Sequence, residues 1–286
     1  MNARYLPYVL ITPVALFLCV FFLYPFFLVA RQAFGDGGSG FSLDNFRDIF
    51  GYWKFNTTLT NTLLLAAAVV PVQLAMALLM ATMVSRMGKG RDLVLYIWTI
   101  PLGISDLAAG IIWLAIFEQS GFLNSMMVGI GALDRPANLL TYQNAGLVFL
   151  AIALAEIWRA TAIMLVILVA GIGLIPKEYY EAADVFGASK WKQFWRITLP
   201  LLRPSLQTAL ILRVIMAFEV FAVVAALGGT LFPVLMGETY AYQFDLLNSG
   251  AAAAMALVIL GISIAATLII LHALRVPKGA DRKSVV

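Results

Sequence analysis

Charge is scarce in this chain, and cysteine and histidine are almost missing. Aspartate, glutamate, lysine and arginine make up 12% of its 286 residues, about half the share of a soluble globular domain, so water is not its main solvent. A single cysteine, Cys19, excludes an intrachain disulfide, and with His272 as the one histidine no Cys/His cluster is available for a structural zinc. A phosphate-wrapping G-x-x-x-x-G-K-[ST] run is also missing. The nearest approach, Gly88-Lys89-Gly90, lacks the hydroxyl residue and a preceding strand, so this chain is not expected to hydrolyse ATP itself. A membrane enzyme would need a nucleophile, acid/base pair or metal ligands converging at one membrane face. The acids here are dispersed, and no catalytic or metal site is expected.

What fills the chain instead is apolar. Hydrophobic residues account for 62% of it, and the mean hydropathy is +0.93. A bilayer core about 30 Å thick needs about 20 mainly apolar residues per helical span. Six runs meet that length, at about 8–30, 57–84, 93–117, 144–172, 205–227 and 250–274, so the expected fold is all-α, a single polytopic domain over 1–286. The first run, behind Arg4, is longer than the roughly 7–15 residues of a signal-peptide core and lacks a small-x-small cleavage site, which predicts a retained span. Pro71 and Pro101 fall inside apolar runs and are expected to kink spans rather than end them. Cys19 reads as a small hydrophobe within the first span.

The basic residues sort to one side of these spans. With both termini cytoplasmic, that side carries Arg4, Arg86, Lys89, Arg91, Lys177, Lys190, Lys192, Arg196, Arg203, Arg275, Lys278, Arg282 and Lys283, thirteen in all, against Arg31, Arg47, Lys54 and Arg135 on the other. Positive loops stay cytoplasmic, so this bias sets the orientation and accounts for a net charge of +4 without nucleic acid. On the external side, Gly35, Gly37, Gly38 and Gly40 suggest a flexible tip, and FSLDNFRDIF a short interfacial helix after it. GFLNSMMVGIGAL predicts another short external helix.

The loop at about 174–204 is too patterned merely to reverse the chain. Pro176 suits a helix start, with Glu178 and Glu181 near the positive end of the helix that follows. Tyr179, Ala182, Ala183 and Phe186 recur at i, i+3, i+4 and i+7, an apolar stripe whose alanines admit a close partner. Gly187 fits a left-handed helix end, and Ser189 a cap for a second helix from Lys190. Helix, glycine hinge and helix together can dock into a groove on another protein. The residues also admit a surface helix anchored in headgroups by Trp191, Trp195 and the lysines.

EAADVFGA followed by ITLPLLRPSL resembles the EAA signature of ABC importer permeases, in which a glutamate-alanine-alanine run precedes a glycine and a distal I-x-LP. FLYPFF, LDNFRDIF, NTLLLAAAVVPVQLAMAL and IPLGISDLAAGIIWLAIF, leading to GFLN, extend the likeness over almost the whole chain, toward sugar permeases of the maltose and glycerol-phosphate type. Phe186 departs from the family by standing where it often has an acidic residue, and Asp106 by placing a charge within the third span.

The resemblance implies a coupling helix, carrying Glu178, Tyr179, Glu181, Ala182, Ala183, Phe186 and Gly187, that inserts into a cytoplasmic ABC ATPase present in two copies. It further implies a second permease subunit as heterodimer partner, an extracytoplasmic solute-binding protein, a sugar as substrate and a bacterial or archaeal cytoplasmic membrane as the location.

Ionisable residues at bilayer depth cost about 2.5–3.5 kcal/mol each on insertion scales, so each needs a reason. Glu156 and Arg159, three apart on one face, could pair with each other, while Arg213 and Glu219 each need a partner from elsewhere. With Asp106, Asn144, Trp158 and Tyr240 they are candidates for a polar translocation path. The same charges also fit interhelical glue. Read without the resemblance, they leave open an ATP-independent secondary transporter whose membrane charges carry protons.

Overall fold

The structure is a computed structural model and describes residues 6–35 and 40–275. The glycine tip at Gly37 and Gly38, and Arg4, Lys278, Arg282 and Lys283 of the charge count, lie outside the described residues. The rest is helical. The one β-type pairing among the described residues is a single bridge between Gly35 and Phe41. The chain forms two compact units, one built from residues 1–56 and 235–261, the other from 57–234 and 262–286.

The first unit opens with α1, Tyr8–Ala33, whose hydropathy of 2.4 is spread over every face and whose apolar stretch has no buried residue. A helix apolar all round is stable only with lipid or protein against it. Its carboxyl end is tied off by Asn45 of α2, Asp44–Gly51, whose amide donates to the carbonyls of Gln32, Ala33 and Gly35 at 3.3, 3.2 and 2.9 Å. These are carbonyls that a helix end leaves without partners. The α2 helix supplies the short helix expected at FSLDNFRDIF.

In the second unit the long helices follow the apolar runs closely. α3 spans Phe55–Ser85 and passes through Pro71 without a break. After a turn at Gly90, which takes φ +82°, the chain forms α4, Arg91–Thr99. Pro101 then sits in a single 3-10 turn, Ile100–Gly103, so it ends a helix where a kink was expected. Proline removes the amide and crowds the preceding turn. Ser105 restarts the helix, its side chain accepting from the Ala108 amide at 3.2 Å, and α5 covers Asp106–Phe117. The expected span at 93–117 is therefore broken, and Asp106 lies in the first turn of a helix, where the macrodipole favours a carboxylate. α6, Phe122–Gly129, is the short helix expected within GFLNSMMVGIGAL.

α7, Ala145–Gly173, is the centre of the unit, with 67% of its most apolar window buried. The loop helices α8, Lys177–Val185, and α9, Lys190–Leu201, lead through a 69° bend into α10, Arg203–Phe218. The expected span at 205–227 does not continue through that range. α10 stops at Phe218 and a separate helix, α11, takes Ala222–Leu227. Sixteen residues reach only about 24 Å, short of a bilayer core. The interrupted backbone survives because Phe218, Val220 and Val223 around it are buried in protein. Hydropathy has no view of this break, since Glu219 is one charge among apolar neighbours.

The short helices left by the two breaks, α5 and α11, pack on each other. A Cβ added at Gly110 would lie 2.6 Å from Ala226 Cβ and 3.2 Å from Val223 Cα, so glycine sets that approach. α12, Leu235–Tyr240, belongs to the first unit. α13, Ser249–Ala273, is the last apolar helix.

Gly110→Val is expected to force α5 and α11 apart at a cost of about 1–3 kcal/mol, lowering the thermal midpoint of the detergent-solubilised protein. An unchanged midpoint would contradict this packing.

Candidate functional site

The sequence scatters its five membrane charges from Asp106 to Glu219, and the structure gathers four of them at one level. Apolar packing leaves a gap there. Leu65 and Val69 of α3 pack with Val148 and Ile152 of α7, and Ala77 and Ala81 of α3 with Met164 and Leu168 of α7, as two separate clusters. Gln73, Glu156 and Arg159 lie between those groups along the same two helices, and Arg213 reaches in from α10. Arg159 is the midpoint of α7.

Arg213 and Glu156 form the centre of this layer, 2.8 Å apart with 1% and 2% of their side chains exposed. Gln73 locks the pair: its carbonyl oxygen accepts from Arg213 Nε, and its amide donates to the Glu156 backbone carbonyl at 2.7 Å. The pairing of Glu156 with Arg159 that their spacing allows is present but long, at 3.9 Å, and Arg159 has a closer partner in Asp106 at 2.7 Å. A residue three positions along the same helix is a neighbour, but the facing helices offer each group a shorter, better-aligned partner. Two carboxylates and two guanidinium groups thus neutralise one another.

The layer is graded in exposure. Arg213, Glu156 and Gln73 are closed off, whereas the Asp106 carboxylate is 47% exposed at the start of α5. Trp158, partly buried, sets its ring edge-on to Trp113 at 6.3 Å. Asn144 bonds the Asn138 carbonyl at 3.3 Å at the other end of α7. Glu219 is exposed at the end of α10 and joins none of these pairs among the described residues. Tyr240 belongs to the first unit, where its ring lies tilted against Phe244 at 4.7 Å. Gln73 was missed by a search for charges alone. An amide inside the run VVPVQLAMALL was its signal.

The loop between α7 and α10 has the anticipated helix, hinge and helix. Gly187 takes φ +68°, and the Ser189 side chain caps α9 by accepting from the Lys192 amide at 3.3 Å. What spacing did not reveal is a clasp across the hinge. Lys190 Nζ lies 2.8 Å from Asp184, Gln193 donates to the same carboxylate and, at 3.0 Å, to the Ala188 carbonyl. Tyr180 and Thr198 join hydroxyls at 2.9 Å, tying α8 to α9. The opposite face is bare: Tyr179, Val185 and Phe186 are 54%, 85% and 88% exposed. Glu178, Glu181 and Ala182 are also exposed, and Ala183 is half-buried.

A helical membrane protein with two broken spans, a mid-depth polar layer and a rigid loop presenting an apolar apex has the architecture of a transport subunit. Residues 73–275 match the model of the binding-protein-dependent transport system inner membrane component family, and the chain belongs to that family. It is 34% identical over 80% of its length to the probable ABC transporter permease YesP of Bacillus subtilis, covering 75% of that protein. It is 33% identical over 92% of its length to the arabinooligosaccharides transport system permease AraP of the same organism, covering 86% of it. Its fold matches a crystal structure of a bacterial ABC transporter involved in alginate import, with a TM-score of 0.81 over 95% of both chains at 23% identity. The chain is a multi-pass permease subunit of the ABC class, and nothing among these relatives supports a secondary transporter.

Two outcomes test the geometry. Arg213→Met strands the Glu156 charge and is expected to cost about 3–5 kcal/mol; adding Glu156→Leu should recover most of that, leaving the Asp106–Arg159 pair neutral. Thermal unfolding of the single and double variants measures the coupling, and a double variant as unstable as Arg213→Met alone would refute it. The bonds from Lys190 and Gln193 hold the Asp184 carboxyl below the usual carboxylate range. Because the folded pKa is depressed, the clasp contributes fully above the unfolded value and is lost as pH falls through the folded one. Protection factors at the Gly187 and Ala188 amides, which take out the intrinsic pH dependence of exchange, should therefore be high at neutral pH and fall on strong acidification, while Asp184→Asn should lower them already at neutral pH.

Proposed function

We propose that this chain forms half of the translocation path of an ATP-driven sugar importer and is driven through its α7–α10 loop by a separate ATPase. The observation that carries this reading is the clasped loop with its exposed apolar apex, in a chain of this family. A loop stiffened by Asp184, Lys190, Gln193 and Tyr180 transmits force, and Tyr179, Ala182, Val185 and Phe186 offer it a face that water does not favour. Glu178 and Glu181 stand on the same helix for polar contacts at the rim, and Gly187 sets the angle of the apex. In this reading both termini are cytoplasmic, two ATPase copies bind ATP and Mg below the membrane, and a second permease supplies the other half of the path. An extracytoplasmic binding protein delivers the solute. The name of the arabinooligosaccharide permease among its relatives supports a sugar or sugar-like substrate.

The graded polar layer divides the two roles considered for the charges. Arg213, Glu156 and Gln73, closed off on all sides, act as the lock that fixes α3, α7 and α10. Asp106 and Arg159, at the half-open end beside a broken helix, are the part of the layer placed to meet a hydroxyl-rich solute, with the Trp113–Trp158 aromatic pair nearby on the same helices. Discontinuous helices are where transporters place polar backbone and substrate groups.

Ala182→Arg tests the docking. The loop fold should persist because that side chain is exposed, while the ATPase copurifying with the tagged chain and ATP-dependent uptake in vesicles both fall at least severalfold. Uptake that continues unchanged in vesicles without ATP would overturn the proposal.

A further inference from the structure

Beside the loop, and separate from its docking apex, the second unit encloses a cavity of about 550 Å³ rich in positive charge. Arg86 from the end of α3, Arg91 from the start of α4, Lys177 from the start of α8 and Lys190 from the start of α9 all line it. Only Lys190 is matched, by Asp184. Among the described residues no carboxylate lies within ion-pair distance of Arg86, Arg91 or Lys177, and Arg91 Nε is buried without a hydrogen-bond partner. Three uncompensated cations around a space this size repel one another, and an anion in the space would relieve that repulsion.

A second feature identifies the anion. A groove of about 460 Å³ adjoins the cavity and shares Thr82, Arg86 and Lys190 with it, but its remaining wall is mainly apolar, with Leu78, Leu79, Met83 and Phe194. Basic pockets between membrane helices, set at the level where spans leave the hydrocarbon, suit lipid headgroups. Thr82 and Arg86 stand in the last turn of α3 and just beyond it, which is that level. A soluble phosphate would use only the cavity. A phospholipid would use both, its phosphate among the cations and an acyl chain along the groove.

We propose that this paired cavity and groove is a binding site for an anionic phospholipid. Occupied, it bridges α3 and α4 to the first turns of α8 and α9, so that one lipid ties the base of the loop to the spans. The site does not depend on the docking role of the loop, and its test reads lipid binding rather than transport.

The full-length chain in detergent micelles is titrated with phosphatidylglycerol or phosphatidylcholine, and bound lipid is counted by native mass spectrometry. One phosphatidylglycerol is expected to bind well above any phosphatidylcholine. The triple variant Arg86→Gln, Arg91→Gln and Lys177→Gln should weaken that adduct roughly a hundredfold, at about 1 kcal/mol for each charge contact and tenfold per 1.4 kcal/mol. The pair Lys192→Gln and Arg196→Gln, outside the cavity walls, should leave it unchanged. Circular dichroism of the triple variant should equal that of the wild type and its lipid-free thermal midpoint should be no lower, because none of the three residues has an ion pair to lose and their mutual repulsion is removed. Equal binding of both lipids, or equal loss in the control pair, would overturn the site. Displacement of phosphatidylglycerol by millimolar inorganic phosphate would reassign the cavity to a soluble anion and overturn the lipid.

Discussion

Arg213 carries a full charge into a place with no water, and its approach to Glu156 is the condition under which the second unit can exist in a bilayer. A guanidinium group and a carboxylate removed from water each lose several kcal/mol of hydration, which their mutual attraction and the bonds from Gln73 offset. Those contacts are directional in a way that apolar packing is not. The two apolar clusters on α3 and α7 could slide along a helix ridge with modest loss, whereas the polar layer between them has a single register. Lipid does not drive helices together as water does, so a point of fixed register matters more here than in a soluble bundle.

The same layer places the breaks in perspective. Asp106 reaches Arg159 because α5 begins where it does, after the turn at Pro101 and the cap at Ser105. Had 93–117 run as one straight helix, Asp106 would have stood mid-helix, without a free helix end to favour its charge. The stop at Phe218 similarly frees Ala222–Leu227 to turn and pack on α5. Two interruptions, each unfavourable alone, are stabilised by each other's short helices.

Much of this was legible from residue order. Apolar runs located α1, α3, α7 and α13 to within a few residues, because a bilayer sets helix length and admits few alternatives. The loop was legible for another reason: proline, glycine and serine at fixed offsets dictate local backbone whatever surrounds them, and Gly187 and Ser189 behaved accordingly. The broken spans were not legible, since hydropathy averages over the few residues that matter. The partners within the polar layer were hidden too. Spacing along one helix suggested Glu156 with Arg159, but which groups meet across helices depends on crossing angles that no single helix encodes. Gln73 escaped for want of a charge, and Asp184 because it lies among stripe residues that drew attention to the opposite face.

Chain order gives the Arg213–Glu156 pair a history as well as a geometry. Gln73 and Glu156 are synthesised first, in helices long enough to insert on their own. Until α10 appears, the Glu156 carboxylate has only the more distant Arg159 for company. The short, bent, arginine-bearing α10 therefore reaches a membrane that already holds its receptor, and a ribosome paused before residue 213 leaves behind a bundle with an open acidic socket. The layer can close only when α10 arrives, because Arg213 is the last of its members in chain order.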